Sequence, residues 1–205
     1  MHVYTFPYGP LASNMYLFSI DSDFYLVDPS VSPEVFLAKS DFDESIFPKI
    51  KAVFLTHAHF DHVFYCEEWE KLTNAEFFIH ESDLKSLSEP SLNCSADMYK
   101  PMKFRVNVND IFKAESFVNG LKVIHTPGHS LGSVCLLFEK NKVMFTGDTL
   151  FCGSIGRTDL PGGSMSSMID SMRLLKNLDD NLKFYPGHGP SGVLIEEKQY
   201  NSFFY

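Results

Sequence analysis

An apolar, strand-like stretch, Lys51-Ala52-Val53-Phe54-Leu55, runs directly into Thr56-His57-Ala58-His59-Phe60-Asp61-His62. Three imidazoles and a carboxylate thus fall within six residues at the end of a buried element, where histidines at this density have no packing purpose. Alternation along the extended chain end puts His57 and His59 on one side, while Asp61 and His62, in the turn that follows, can point elsewhere. One short loop can therefore serve two metal ions. Neutral imidazole and carboxylate suit zinc and its borderline neighbours.

At 205 residues the chain fits a single domain, 1–205. Its apolar fraction of 44% is enough for a core, and no run approaches the roughly 18 apolar residues of a membrane helix, so no membrane partner is expected. The start, Met1-His2-Val3-Tyr4-Thr5-Phe6-Pro7, lacks a basic region followed by an apolar run. No secretory signal is visible, and the cytoplasm is the expected compartment. A net charge of −9 argues against a nucleic-acid partner, since phosphate binding needs a basic surface to displace counterions. Cys66, Cys94, Cys135 and Cys152 show no CxxC spacing and read as free thiols, with Cys135 in a core strand, Cys66 in a helix and Cys152 near the site.

Along the chain, residues 14–20 and 24–27 read as a hairpin joined by Asp21-Ser22-Asp23. Pro33 opens a helix through Lys39 with Ser32 as N-cap. After the histidine cluster a helix is expected over 63–72, which Asp61 could help cap, then a strand over 76–79 and a short helix from Ser82. Residues 88–118 are the least regular part, a stretch whose composition suggests a lid. Strands return at 121–126, 133–138 and 142–146. The last helix fits 164–178, with an apolar stripe of Met165, Met168, Ile169, Met172 and Leu175. Two β-rich halves, each followed by helices, predict two sheets packed face to face with helices outside.

Three further positions share one design, in which a short strand ends, Gly or Pro breaks the chain and one ligand-type side chain sits at the break. These are His129 in Thr126-Pro127-Gly128-His129, Asp148 in Thr146-Gly147-Asp148 and His188 in Pro186-Gly187-His188. With the cluster they bring the candidates to seven: His57, His59, Asp61, His62, His129, Asp148 and His188. Seven ligands are too many for one tetrahedral ion and suit two ions with one bridging carboxylate. His2, His80 and His125 are assigned to structure or surface, His125 lying close enough to His129 to support it.

This arrangement resembles the metallo-β-lactamase fold hydrolases. The resemblance implies an α/β (α+β) four-layer αββα sandwich of two mixed sheets, with His57, His59 and His129 on a first metal, Asp61, His62 and His188 on a second, and Asp148 bridging. Asp28, closing Tyr25-Leu26-Val27-Asp28, matches a position that orients a ligand histidine, although an Asp before Pro29 also reads as a turn former. The stretch Gly153-Ser154-Ile155-Gly156-Arg157-Thr158-Asp159-Leu160-Pro161-Gly162-Gly163 and the tail around Gly187-His188-Gly189-Pro190 are similar to compact glyoxalase II-type enzymes. In that family a helical domain beyond this point contributes basic residues to glutathione binding; the chain ends at Tyr205, so that half of the pocket is expected to be absent. Arg157 would then either hold a substrate carboxylate or pair with Asp159 to pin its loop.

The expected nucleophile is water activated by two divalent ions, Zn2+ foremost and Fe or Mn also suited to the donors. Asp61 and Asp148 are the expected catalytic carboxylates, fixing ions and nucleophile. The expected substrate is a small-molecule thioester such as S-lactoylglutathione, because a thiolate leaves without prior protonation. A mononuclear iron persulfide dioxygenase and a lactonase or other ester hydrolase are the alternatives the same residues allow.

Overall fold

The computed structural model describes residues 1–205. In chain order the elements are β1 (His2–Phe6), β2 (Met15–Ile20), β3 (Asp23–Val27), α1 (Pro33–Ala38), β4 (Ile50–Phe54), α2 (Cys66–Leu72), β5 (Glu76–Ile79), α3 (Ser95–Met98), β6 (Val108–Asp110) and α4 (Ala114–Phe117). They continue as β7 (Lys122–His125), β8 (Val134–Phe138), β9 (Val143–Gly147), β10 (Leu150–Phe151), β11 (Ser154–Ile155), α5 (Met165–Lys176), β12 (Lys183–Pro186), β13 (Gly192–Val193) and α6 (Leu194–Tyr200). The first sheet has the order β1-β2-β3-β4-β5-β6 and the second β13-β12-β9-β8-β7, with β10 and β11 forming a small hairpin. Both large sheets mix parallel and antiparallel pairs.

Alternating side chains build the layers. Along β2, β3 and β4, Leu17, Leu26 and Val53 face one way, into a cluster with Phe36 of α1 and Trp69 of α2. Their neighbours Phe18, Val27 and Phe54 face the other way, into a cluster shared with Leu136, Phe138 and Phe145 of the second sheet. On β8 and β9, Cys135, Leu137 and Met144 turn to a third cluster with Met168, Met172 and Leu175 of α5 and Leu194 of α6. A period of two therefore sorts each strand between a sheet–sheet interface and a sheet–helix interface, and the result is a four-layer αββα sandwich.

The caps of α1 and α5 follow from sequence: Ser32 accepts from the Val35 amide and Ser164 from the Ser167 amide, each at a helix start. Three expectations need correction. Helix α2 begins at Cys66 rather than Val63, because residues 59–65 are taken up by successive turns, and its N-cap Tyr65 makes no side-chain capping bond. Asp61 therefore caps nothing, and its carboxylate faces His188 instead. On α5, Met165 and Ile169 are exposed, since the 3.6-residue period carries only Met168, Met172 and Leu175 onto the sheet. Strand β1 was not anticipated and forms an edge of the first sheet on β2.

Candidate metal centre

Every candidate ligand follows the C-terminal end of a strand. Asp28 ends β3, the cluster follows β4, His129 follows β7, Asp148 follows β9 and His188 follows β12. Because β3 and β4 are parallel, as are β9 and β12, these ends open on the same rim of the sandwich. The two sheets are fastened there. The Ser13 hydroxyl donates to the Asp61 carbonyl at 2.8 Å, and the Asn14 amide and side chain donate to the carbonyls of Gly187 and Pro186 at 2.7 and 2.9 Å.

The seven predicted residues come together, and all but His188 are buried. His57, His59 and His129 form one group able to hold an ion, and Asp61, His62 and His188 another. Asp148 lies between them: its Oδ2 is 3.3 Å from His129 Nε2 and 3.6 Å from His188 Nε2, and its Oδ1 is 3.4 Å from His62 Nε2. Within the second group the Nε2 atoms of His62 and His188 stand 3.2 Å apart, and Asp61 Oδ2 is 3.2 Å from His188 Nε2.

Hydrogen bonds on the outer side of the imidazoles decide which nitrogen faces inward. Asp28 accepts from the Thr56 amide, the Thr56 hydroxyl and His62 Nδ1 at 2.7, 2.7 and 3.0 Å. Since the Thr56 hydrogen is committed to Asp28, its oxygen can only accept from His57 Nδ1, 3.1 Å away. His129 Nδ1 likewise donates to the Arg157 carbonyl at 2.8 Å. His57, His62 and His129 are thereby held with Nε2 turned inward, the nitrogen that a metal would take. His57 Nε2 and Asp148 Oδ1 are buried without any hydrogen-bond partner, a costly state for polar atoms unless a cation satisfies them. The donor set fits divalent metal.

Burial, reinforced by the neighbouring imidazoles, pushes His57 and His59 well below the ordinary histidine value, so they stay neutral. Burial also opposes charge on His62, but Asp61, Asp148 and Asp28 outweigh it and raise the group to about 10. Burial would lift Asp61, yet His62 and His188 hold it down at about 2. In the second group Asp61 and His62 thus form an ion pair, whereas His57 and His59 of the first stay neutral.

The family model of the metallo-β-lactamase superfamily matches residues 8–188. The chain belongs to the metallo-β-lactamase superfamily. It is 31% identical over 201 residues to a probable metallo-hydrolase of Streptococcus pyogenes serotype M6, covering 94% of this chain and 85% of the relative. It is 31% identical over 186 residues to the hydroxyacylglutathione hydrolase GloC of Haemophilus influenzae, covering 87% and 85%. Among solved structures it superposes on the BLEG-1 B3 metallo-β-lactamase with a TM-score of 0.89 at 30% identity and 99% coverage of both chains. It superposes on a di-iron-bound form of TTHA1623 with a TM-score of 0.84 at 32% identity, covering 98% and 99%.

In this metallo-β-lactamase superfamily member five of the candidate ligands, His59, Asp61, His129, Asp148 and His188, form the floor of a cavity of about 330 Å³, walled by Leu11, Cys94, Met98, Phe151, Arg157 and Leu160. Cys94, not Cys152, is the cysteine at the site; Cys152 is exposed, with its thiol towards the Pro190 carbonyl at 3.3 Å. Cys94 and Met98 bring the irregular segment 88–118 into the cleft as a wall, fastened by the Asn93 side chain to the carbonyls of Ser86 and Met102. Arg157 reaches the cavity, but its fork is taken: Nε and Nη2 each lie 2.7 Å from Asp159. Leu11, Ala12, Asp28 and Cys94, four of the six non-glycine residues with left-handed backbone, all lie around the cleft or its ligands, where stored strain commonly accompanies a site.

Sequence reasoning missed Asp83. Its buried carboxylate accepts from the Ala58 amide between His57 and His59, from the Ser130 hydroxyl beside His129 and from the Gly132 amide, at 3.1, 2.7 and 2.7 Å. It ties together the two loops that carry the first group. The only signal in the sequence was an acidic residue in the first turn of a short helix, which also reads as a partner of the helix dipole. His125 supports no ligand; it stacks on His80 at 4.0 Å and faces the Leu131 carbonyl. Gly187 cannot be replaced freely, because a Cβ there would stand 2.1 Å from Asp148 Oδ1 and 2.7 Å from His62.

Proposed function

We propose that the chain is a dinuclear metal-dependent hydrolase of the glyoxalase II type, cleaving a small-molecule thioester, with Zn2+ as the resident ion and iron or manganese as ions the same donors accept. The observation that carries this reading is the pair of inward-facing donor groups joined by Asp148 at the floor of an open cavity. His57, His59 and His129 would hold one ion, Asp61, His62 and His188 the other, and Asp148 both. Two such ions, when bound, supply an activated water and polarise the substrate carbonyl.

The chain's own residues set the rest. Asp61 and Asp148 turn carboxylate oxygens to the point where the two groups meet, from which they orient the attacking water. Asp28 holds His62, and Thr56 passes the same constraint to His57. Beyond the ligands the cavity offers no Tyr or Lys to protonate a leaving group, and burial pushes the Cys94 thiol up to about 11. A thiolate, whose conjugate acid has a pKa of about 8.5, departs without such a donor, whereas an amine does not. The kinship with GloC of Haemophilus influenzae supports the same choice.

The test is turnover of S-lactoylglutathione, simple acyl thioesters, a lactone and a β-lactam by metal-loaded protein. Metal-dependent hydrolysis of a thioester in preference to the lactone and β-lactam is expected. Preference for either of those would replace the thioester reading with a lactonase or β-lactamase.

A further inference from the structure

Arg157 is the one cation among the residues that line the cavity. A free guanidinium at that position would be a receptor for a substrate carboxylate. Here Asp159, two residues along the same loop, meets it fork to fork, with Oδ1 on Nε and Oδ2 on Nη2 at 2.7 Å. Both groups are more than half exposed, so the pair adds little stability. Its effect on recognition is larger. An incoming carboxylate would have to displace a tethered one that is always at high local concentration, and would then sit beside the charge it displaced. The loop is tied down where it carries Arg157, because the Arg157 carbonyl accepts from Nδ1 of the candidate ligand His129 at 2.8 Å.

The remaining walls are apolar. Leu11 is 60% exposed and held over the cleft by two consecutive left-handed residues, itself and Ala12. A large aliphatic side chain kept in water by a strained turn gains its burial only when something apolar enters the cavity. Met98 and Phe151 stand around the same opening, and Leu160 on the Arg157 loop adds a further apolar side chain. At about 330 Å³ the cavity is at the small end of ligand-sized ones.

We propose that this cleft selects uncharged thioesters carrying a short apolar chain over anionic ones, and that Asp159 sets the preference by closing the Arg157 fork. The inference rests on the hydrolase reading for its chemistry, but the charge preference is a property of binding and is tested as such. The probes are a neutral and a carboxylate-bearing pair of butyryl thioesters, on N-acetylcysteamine and on N-acetylcysteine, together with the matching non-hydrolysable butyl thioethers. Metal-loaded protein and its Asp159→Asn and Arg157→Gln/Asp159→Asn variants are compared by kcat/KM on the thioesters and by calorimetric Kd on the thioethers.

The neutral probe is expected to be favoured by the native protein. Asp159→Asn is expected to move the anionic-to-neutral ratio about 10-fold towards the anion, the scale of one charge-assisted hydrogen bond. The double variant is expected to return it. A native preference for the anionic probe, or a ratio unmoved by Asp159→Asn, overturns the proposal. Thioethers that show the expected shift while no thioester is turned over uphold the charge preference and remove the hydrolase reading.

Discussion

The first donor group, His57, His59 and His129, contains no carboxylate of its own and is wholly buried, whereas the second pairs two histidines with Asp61 and leaves the His188 side chain 26% exposed. The first is held from behind by Asp83, through backbone amides and the Ser130 hydroxyl on the two loops. The second is held by Asp28 through a direct bond to His62. One half is thus shaped by its loops, with His57 and His59 kept neutral, and the other is shaped by the Asp61–His62 ion pair. Geometry would select an ion in the first and electrostatics would attract one in the second, with Asp148 as the candidate ligand placed between them.

Removing that shared ligand is the hardest test of the contrast. Asp148→Ala is expected to lower the content of both metals and to cut hydrolysis by more than about 100-fold, beyond what loss of a supporting residue costs. His59→Ala is expected to empty the first half while the second still takes up an ion. Metal analysis alongside kinetics distinguishes them, and equal loss of both ions in His59→Ala would mean that the halves do not load separately.

The supporting carboxylates come next in size. Asp28→Asn keeps its volume but weakens the acceptor for His62 and Thr56, and a loss of about 10–100-fold in metal affinity is expected. Because Thr56 relays Asp28 to His57, this variant is expected to weaken both halves. Asp83→Asn loosens the amide between His57 and His59 and the loop after His129, so its larger loss is expected in the first half's binding step. Stepwise cobalt titration followed by absorbance separates the two patterns; identical curves would remove the distinction between the supports.

Much of this arrangement was legible in the sequence because its signals are local. Strand ends punctuated by Gly or Pro, each carrying one His or Asp, give both the sheet rim and the ligands, since the breaks that end a strand also aim the next side chain outward. Asp28 could be placed only by resemblance, as an Asp before Pro29 is equally a turn former. Asp83 was not legible. Its three partners lie 25 to 49 residues away in sequence, and no spacing rule connects a helix-start carboxylate to Ala58 and Gly132. Segment 88–118 looked irregular because side chains such as Asn93 order it by bonding to backbone, which leaves no hydrophobic period to read. The helix expected from Val63 began at Cys66 for a related reason: the turns that aim Asp61 and His62 consume the residues that would have formed its first turn.

The smallest expected effect concerns protons, and it separates the halves without any substitution. In the metal-free protein at neutral pH, His57 and His59 are kept neutral while His62, raised to about 10, carries a proton. Loading the first half should release no proton from His57 or His59, and loading the second should release one from His62. Calorimetry in two buffers of different ionisation enthalpy counts it, and release assigned to the first binding step would reverse the assignment. The same groups set the shape of stability against pH. His62, with a raised folded value, contributes stability that is full below its ordinary 6.5 and lost as the pH climbs towards about 10. His57 and His59, with lowered values, act oppositely: below 6.5 the unfolded chain binds protons that the folded one refuses, and stability falls with acid. The metal-free protein is therefore expected to reach its highest Tm near pH 6.5 and to decline on both sides. With metals bound His62 has no proton to lose, so the alkaline decline should disappear while the acid one remains, now driven by loss of metal.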